Sequence, residues 1–318
     1  MPPPAVVVEQ VTKSYGRGPG AVAALGGIDL TIERGRVFGL LGANGSGKST
    51  LVRILSTLAT PTSGRAFVAG VDVVAQPARA RAALGVTAQQ TTLDQRLSGR
   101  ENLVVFGRLC GLSRAHARRR AGELLESYGL ADAAERPVST YSGGMKRRLD
   151  ILASLILRPS VLFLDEPTTG LDPHSRNDIW HTVRELTAEG TTVFLTTQYL
   201  DEADQLADRV VVLDAGRVIA DSTPRSLKEQ IGVRLAIALE TPADLDAASA
   251  LLRGMGVHDI SVDDAPDAAA LSGLTSAGSL TLPAVLHSLS GAGIGVVDIG
   301  LHEPTLDQAY LALTGDHR

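Results

Sequence analysis

Eight consecutive residues near the amino end, GANGSGKS at positions 42–49, fit the pattern GxxxxGK[ST], known as the P-loop. In this pattern the backbone N–H groups of the loop surround the phosphates of a nucleoside triphosphate. Lys48 reaches the β- and γ-phosphates, and Ser49 places its hydroxyl on Mg²⁺. The predicted nucleotide and magnesium site consists of Gly42, Asn44, Gly45, Ser46, Gly47, Lys48, Ser49 and the following Thr50.

Two carboxylates follow an apolar run, VLFL at residues 161–164, that is typical of a buried strand. Asp165 is placed to support Mg²⁺, usually through a bound water. Glu166 is placed to polarise the attacking water as a general base. An exposed acidic turn at the end of a strand is the alternative interpretation. The P-loop upstream favours the first, and with Lys48 these residues predict hydrolysis of the bound nucleotide.

The run SGG at residues 142–144 lies between these two motifs. Its backbone N–H groups carry no bulky side chains and can approach phosphate oxygens, so the run can form a second anion cradle. The P-loop already holds the phosphates of the chain's own nucleotide. A second cradle therefore makes sense if Ser142, Gly143 and Gly144 close on the nucleotide of another copy.

Composition argues against several classes of protein. The 318 residues contain 30 Lys and Arg against 35 Asp and Glu, a net charge of −5, which is unusual for a nucleic-acid-binding protein. One cysteine rules out an internal disulfide and fits a reducing cytosol. No window approaches the ~20 apolar residues of a membrane-spanning helix. The amino terminus also lacks the build of a signal peptide. If the protein drives transport, we expect the pore in another chain.

The elements that must position these residues are predicted from apolar runs and spacing. Residues 37–41 enter the P-loop as a strand and residues 49–58 leave it as a helix, which is the context that the pattern requires. Apolar residues at helical spacing predict a helix over 112–128, with Ser113 as its N-cap. Further strands are predicted at 6–11, 28–32, 161–164 and 192–195, and a hairpin at 210–213 and 217–220.

The sequence changes character after Pro224. Alternating apolar residues and short helical patterns predict a small α+β domain over residues 226–318. Its predicted strands are 233–239, 257–262 and 294–301, and its predicted helices are 243–253, 282–289 and 306–313. Residues 263–278 contain few large apolar side chains and are predicted as loops.

Residues 5–222 resemble the ATP-binding-cassette (ABC) ATPases. The resemblance implies an α/β fold with a RecA-like parallel-sheet core, an antiparallel β subdomain and a helical subdomain around 90–158. It divides the chain into a cassette at 1–225 and a small C-terminal α+β accessory domain at 226–318. It also implies a homodimer of head-to-tail cassettes, with ATP and Mg²⁺ between the P-loop of one chain and the SGG run of the other.

The resemblance adds further residues to the site. Tyr15 fits the aromatic residue that stacks on adenine, and an aromatic face stacks on any base. Gln89 fits the glutamine that senses Mg²⁺ and the γ-phosphate and leads into the helical subdomain, with Gln90 as the alternative register. Asp172, in the run GLD, belongs to a segment that crosses the dimer interface. Taken alone, these residues also fit a packing tyrosine, loop glutamines and a common turn.

Gln198 departs from the family pattern, in which most members carry a histidine that contacts the γ-phosphate. Glutamine can donate a hydrogen bond from its amide, but it cannot carry charge or shuttle a proton. One interpretation is a degenerate, slow ATPase, and the other is that glutamine substitutes adequately because Glu166 carries the chemistry. We favour the second, since Lys48 and Asp165 are also present, and predict a catalytic role for Gln198.

Three longer segments resemble the daunorubicin-resistance branch of the family: YSGGMKRRLD at 141–150, TTQYLDEAD at 196–204 and HEPTLD at 302–307. This branch implies an ATP hydrolase that powers export of drug-, antibiotic- or lipid-like amphipathic compounds through a separate multi-span membrane subunit. The chain itself would lie peripherally on the cytoplasmic face of the membrane. A soluble ABC protein acting on ribosomes or DNA, an importer motor and a P-loop kinase are less favoured alternatives. The chain has one P-loop, no sustained heptads, and an SGG run for which a kinase has no use.

Overall fold

The computed structural model describes residues 3–16, 18–87, 92–263, 269–276 and 278–315. The chain divides into two compact units, one ending at Ser222 and the other beginning at Thr223. Within the described residues, no helix is both long enough and apolar enough to cross a membrane.

The first unit alternates strands and helices along most of its length. Its strands are β1 (Val6–Tyr15), β2 (Val22–Ile32), β3 (Val37–Leu41), β4 (Ser63–Val68), β5 (Val71–Asp72), β6 (Leu84–Thr87), β7 (Val161–Asp165), β8 (Thr192–Thr197), β9 (Arg209–Asp214) and β10 (Arg217–Ser222). Its helices are α1 (Lys48–Leu55), α2 (Pro77–Ala83), α3 (Gly99–Leu109), α4 (Arg114–Ser127), α5 (Gly143–Ser154), α6 (Pro173–Ala188) and α7 (Leu200–Leu206).

The core of this unit is a sheet with the strand order β10-β9-β3-β8-β7-β6, in which only β10 is antiparallel among the described strands. Strands β3 and β7 are apolar almost throughout, and β8 is buried along its whole length, because both faces of the sheet are covered. On one face Phe194 packs between Phe38 and Phe163, with ring centroids 5.3 Å apart in each pair. Leu162 and Leu195 lie in the core cluster that contains α4 and α5 residues.

This parallel arrangement places the predicted chemistry at one edge. The P-loop follows β3, Asp165 ends β7, and Gln198 follows β8. Neighbouring strands are in register at that end, where Asp165 pairs with Thr196. Because the carboxyl ends of parallel strands form the usual ligand crevice of an α/β sheet, these segments lie where a nucleotide is expected.

A second, antiparallel sheet with the order β2-β1-β4-β5 forms the other β layer of the first unit. Helices α3 and α4 begin at side-chain caps. Ser98 forms a capping box with Glu101 at α3, and Ser113 accepts from the backbone N–H of His116 at α4, which confirms the predicted N-cap.

The second unit contains α8 (Pro224–Glu229), β11 (Val233–Leu239), α9 (Leu245–Gly254), β12 (His258–Asp263), β13 (Ala270–Thr275), α10 (Leu282–Gly291), β14 (Val296–His302) and α11 (Leu306–Gly315). Its strands pair antiparallel in the order β12-β13-β11-β14. Leu235, Ile237 and Leu271 point to one face, where they form a core with Val285 and Leu289. The unit is therefore an α+β fold.

The sheets confirm the predicted α/β class, and most predicted elements are present with ends shifted by a few residues. One expectation is wrong, and one strand is longer than predicted. Part of the segment predicted as loops, 263–278, forms the central strand β13. Its small residues Ala270 and Ser272 occupy the open face, so only Leu271 and Leu274 mark it as apolar. The first strand, predicted over residues 6–11, continues to Tyr15, which ends β1 and pairs with Val22.

Candidate nucleotide site

The P-loop connects β3 to α1 and is held tightly by its neighbours. Gly47 has a left-handed φ of 109°, and a Cβ there would lie 2.6 Å from the carbonyl oxygen of Ala24. A side chain is therefore excluded on both conformational and steric grounds. Asn44 and Gly45 are exposed at the tip of the loop, where no atom of the described residues lies within 4 Å of a Cβ built on Gly45.

The N-terminus of α1 is open to an anion. Its N-cap, Gly47, has no side chain to accept from the first N–H groups, and the first turn contains no acidic residue. Unpaired N–H groups and the helix dipole together favour a negative charge at this point. Ser46 is 4% exposed, and its hydroxyl oxygen has no hydrogen-bond partner among the described residues. Ser49 is exposed and Thr50 half-buried in the same first turn.

Lys48 is buried at 6% exposure, and its Nζ donates to the carbonyl oxygens of Gly42 at 2.7 Å and Ala43 at 3.0 Å. Burial lowers the pKa of Lys48, while the charges of Glu166 and Asp165 act against that shift. The structure thus brings the predicted lysine and the two predicted carboxylates into one electrostatic neighbourhood.

The two carboxylates are fixed by contacts between β7 and β8. Thr196 donates its hydroxyl to Asp165, and the backbone N–H of Glu166 donates to the carbonyl oxygen of Thr196 at 2.9 Å. Glu166 has a φ of 46°, which turns the chain sharply at the end of the strand. Its carboxylate accepts from the Thr169 hydroxyl at 3.3 Å. A non-glycine residue in this conformation is strained by about 1–3 kcal/mol, so the surrounding contacts must hold it there.

The SGG run forms the start of α5. Ser142 is its N-cap, and the Ser142 Oγ accepts from the backbone N–H of Met145 at 3.2 Å. Ser142 and Gly143 are exposed, which leaves the helix N-terminus open to a further anion. Gly144 is buried, and a Cβ there would lie 2.5 Å from the Oγ of Ser175 in α6. Close packing of α5 on α6 is therefore sufficient reason for this glycine.

Asp172 caps α6 with both carboxylate oxygens. Oδ1 accepts from the Ser175 N–H at 2.9 Å and Oδ2 from the Ser175 hydroxyl at 2.7 Å, and these bonds lower the pKa of Asp172. Asp172 is exposed, and Gly170 before it has a left-handed φ of 77°. Ser175 therefore connects two segments: it binds Asp172 of the GLD turn, and it packs against Gly144 of the SGG run.

Three predicted residues lie at the margins of the site or outside the described part. Gln198 is exposed between β8 and α7, next to Tyr199, whose N–H donates to Thr197 Oγ1 at 2.9 Å. Tyr15 is 42% exposed at the end of β1, and the Lys13 Nζ lies 5.0 Å from its ring centroid. Gln89 and its alternative Gln90 lie outside the described residues.

Sequence reasoning missed the buried charges behind the site. Arg147 and Asp150 form an ion pair inside α5, and Glu202 of α7 is fully buried and accepts from the Trp180 indole at 3.4 Å. Burial raises the pKa of Glu202, while the hydroxyls of Thr197 and Thr168 and the indole act against the shift. The sequence offered one signal for them. A charged residue that lies three or four residues from apolar positions, on the face of a helix that packs on the core, is expected to be buried.

Comparison with known proteins fits this geometry. A family profile described as ABC transporter matches residues 25–169. Across its length, the chain is 50% identical to the daunorubicin resistance ATP-binding protein DrrA3 of Streptomyces coeruleorubidus, covering 99% of this chain and 97% of that protein. The chain belongs to the ABC transporter ATP-binding proteins. This ABC protein is also 46% identical to the doxorubicin resistance ATP-binding protein DrrA of Mycobacterium tuberculosis, over 98% and 94% of the two chains.

A solved structure supports the same assignment. The chain is similar to a dimeric ATP-binding cassette in a post-hydrolysis state bound to ADP and Pi. The TM-score is 0.61 at 27% identity, and the match covers 69% of this chain and 98% of that one. The predicted membership of the daunorubicin-resistance branch and the predicted ATP hydrolase class are both confirmed, so the protein is an ABC ATPase.

Proposed function

We propose that this ABC ATPase powers the export of drug-, antibiotic- or lipid-like amphipathic compounds through a separate multi-span membrane subunit. The observation that carries the proposal is the likeness to daunorubicin and doxorubicin resistance ATP-binding proteins over nearly the whole chain, which includes the second unit as well as the cassette. In this proposal residues 1–225 act as the cassette on the cytoplasmic face of the membrane, with a helical subdomain around 90–158. Residues 226–318 form the accessory domain.

ATP binding follows from the P-loop. Three features fit a polyphosphate that accepts hydrogen bonds from the loop: the N-terminus of α1 without a side-chain cap, the open tip at Gly45, and the Ser46 hydroxyl, which has no hydrogen-bond partner in the part of the chain that the structure describes. Lys48 donates to loop carbonyls in this structure and would turn its ammonium group to the phosphates. The other residues proposed to contact the nucleotide are Tyr15, Gly42, Asn44, Gly47, Ser49, Thr50 and Gln89.

The donor set also fits Mg²⁺, which prefers a few oxygen ligands and retains several waters. We propose that three groups hold the ion: the hydroxyl of the exposed Ser49, the carboxylate of Asp165 and the side-chain amide of Gln89. When bound, the ion would neutralise part of the phosphate charge. Thr196 orients the Asp165 carboxylate by hydrogen bonding, which is the kind of outer contact that fixes a metal ligand.

Hydrolysis requires a base and a group that stabilises charge on the γ-phosphate. Glu166 is proposed to accept the proton of the attacking water, since its backbone turn and the Thr169 contact hold its carboxylate at the strand end. Lys48 is proposed to balance the charge on the phosphate oxygens. Gln198 follows the adjacent strand and is proposed to donate an amide hydrogen bond there.

Pairing completes the site. Ser142 and Gly143 are exposed and Gly144 lies next to them, and the backbone N–H groups of this run are proposed to close on the nucleotide held by the P-loop of a second copy. Asp172, exposed at the start of α6, is proposed to lie in the same interface. Closure would use ATP-binding energy to move the membrane subunit, and hydrolysis would reset the pair.

The test is the identity of the proteins that accompany this chain. A tagged Glu166→Gln variant, expected to retain ATP, is recovered from gently solubilised membranes of its own cells and its companions are identified by mass spectrometry. A tagged Lys48→Ala chain, which should bind ATP poorly, serves as the control for nucleotide-dependent capture. We expect a stoichiometric multi-span membrane protein. Ribosomal proteins, or no membrane protein, would overturn the export proposal in favour of a soluble ABC ATPase.

A further inference from the structure

A buried ion pair lies inside α5, directly behind the SGG run. Arg147 and Asp150 approach to 3.4 Å, and their side chains are only 8% and 5% exposed. Taking two charges out of water costs several kcal/mol per ion unless their geometry is well satisfied. A pair at this cost calls for a role that an apolar contact could not fill.

The arginine reaches out of its own helix to the strand end that carries the proposed base. Its Nε donates to the carbonyl oxygen of Pro167 at 2.9 Å, and its Nη2 donates to the carbonyl oxygen of Asp165 at 2.9 Å. These two carbonyls belong to the residues on either side of Glu166. The guanidinium therefore holds the backbone on both sides of the left-handed turn that aims the Glu166 carboxylate.

The aspartate extends the same network in another direction. Asp150 Oδ1 accepts from the Thr92 hydroxyl at 3.4 Å, while its Oδ2 accepts from Arg147. Thr92 lies 58 residues earlier in the chain, before α3. One buried pair thus connects the segment that leads into α3, the helix that begins with the SGG run, and the end of β7.

We propose that Arg147 is a positioning residue that transmits closure of the SGG run on a second copy's nucleotide to the backbone around Glu166. Arg147 lies five residues after Ser142 on α5. At 1.5 Å per residue this is about 7.5 Å along one rigid helix, so a shift of the helix N-terminus shifts the guanidinium with it. The planar fork of arginine can hold two carbonyls and a carboxylate at once. The inference rests on the pairing proposed above.

Two variants separate this role from simple structural support. Arg147→Lys keeps a positive charge beside Asp150, but a single ammonium cannot reproduce the fixed fork that reaches both carbonyls. The double variant Arg147→Gln/Asp150→Asn removes both charges, so neither is left buried alone, which avoids the strong destabilisation that follows when one partner of a buried pair is removed. Arg119→Lys, an exposed arginine that pairs with Glu123 at 3.6 Å in α4, is the matched control.

The measurement is ATP hydrolysis by the full chain over a range of ATP concentrations, with unfolding by urea in parallel. For both test variants we expect a stability close to that of the original chain and a KM for ATP within about two-fold, because the P-loop is untouched. We expect kcat to fall roughly ten-fold, which is the loss of about one charged hydrogen bond in the closed state. The Hill coefficient should fall from near 2 to near 1.

Two results would overturn the proposal. If Arg147→Lys keeps the kcat and the Hill coefficient of the original chain, Arg147 does not transmit closure to the backbone around Glu166. A fall in kcat that follows a fall in stability, and that the double variant restores, would show a purely structural pair. Failure of the pairing itself is distinguishable. In that case the unmodified chain gives a Hill coefficient of about 1 and Glu166→Gln stays a single chain with ATP, and the inference falls with it.

Discussion

Gly144→Ala tests whether the SGG helix and the GLD helix are packed as tightly as the structure indicates. The added Cβ would lie 2.5 Å from the Oγ and 2.7 Å from the Cβ of Ser175. Ser175 cannot simply rotate away, because its hydroxyl and its N–H both bind Asp172. We therefore expect α5 and α6 to separate or the Asp172 cap to break.

The magnitude follows from overpacking, which costs about 1–3 kcal/mol when a methyl group is forced into a filled space. For a unit of this size each kcal/mol corresponds to roughly 2–4 °C in Tm, so a cost of ~2 kcal/mol lowers Tm by about 4–8 °C. Removal of the Ser175 side chain relieves the clash, since the nearest remaining atom, the Ser175 Cα, lies 3.4 Å away. In a Ser175→Gly background the same Gly144→Ala change should become neutral or stabilising by up to about 1 kcal/mol, the helix preference for alanine.

A double-mutant cycle followed by urea unfolding measures this coupling. The single tryptophan of the chain, Trp180, lies in α6 and reports on the first unit by its fluorescence. We expect a coupling free energy of ~2 kcal/mol between positions 144 and 175. Equal destabilisation by Gly144→Ala in both backgrounds would refute the packing argument and would leave phosphate approach as the reason for the glycine.

Further predictions concern Tyr15, Glu202 and Gln198. Tyr15→Ala should weaken ATP binding roughly 5- to 150-fold, the loss of about 1–3 kcal/mol of stacking, whereas Tyr15→Phe should retain affinity in a fluorescence titration. Because burial raises the pKa of Glu202, the folded state binds its proton more tightly than the unfolded state. The ordinary pKa of a glutamate, 4.5, applies to the unfolded chain. The free energy of unfolding is therefore expected to fall as the pH rises from 4.5 through the higher pKa of Glu202 in the folded state. Glu202→Gln should flatten that dependence in urea unfolding followed by circular dichroism, and an unchanged slope would exclude Glu202 as its source. Without a histidine at position 198 the protein should still hydrolyse ATP above the Glu166→Gln control; binding of ATP with no turnover above that control would point to a degenerate ATPase.

Much of the cassette could be predicted because its signals are local. A GxxxxGK[ST] loop between an apolar run and a helix defines β3 and α1, and an apolar run before two carboxylates defines β7. Strand β13 could not be predicted because its residues carry little apolar signal. Leu271 fills the core on one face of the sheet, and the small residues Ala270 and Ser272 lie on the other face. Pairing with β11 and β12, a long-range effect, makes it a strand.

The contacts behind the site could not be predicted for a related reason. Gly144 fits a phosphate cradle in the sequence, and only the position of Ser175 on another helix reveals the packing requirement. Arg147 lies in a run of basic residues that resembles a solvated face, yet it is buried because two carbonyls and Asp150 surround it. Local spacing does not specify which charges a tertiary contact will bury.

ATP-dependent pairing of two chains is the central claim, and sedimentation velocity of the Glu166→Gln chain tests it most directly. With ATP and Mg²⁺ the account predicts a species of twice the chain mass, and with ADP a single chain. The matched variant Glu166→Gln/Gly143→Asp should stay single, because an added carboxylate repels the partner's phosphates while it suits the helix N-terminus of α5. A Glu166→Gln chain that binds ATP and still sediments alone would contradict the account.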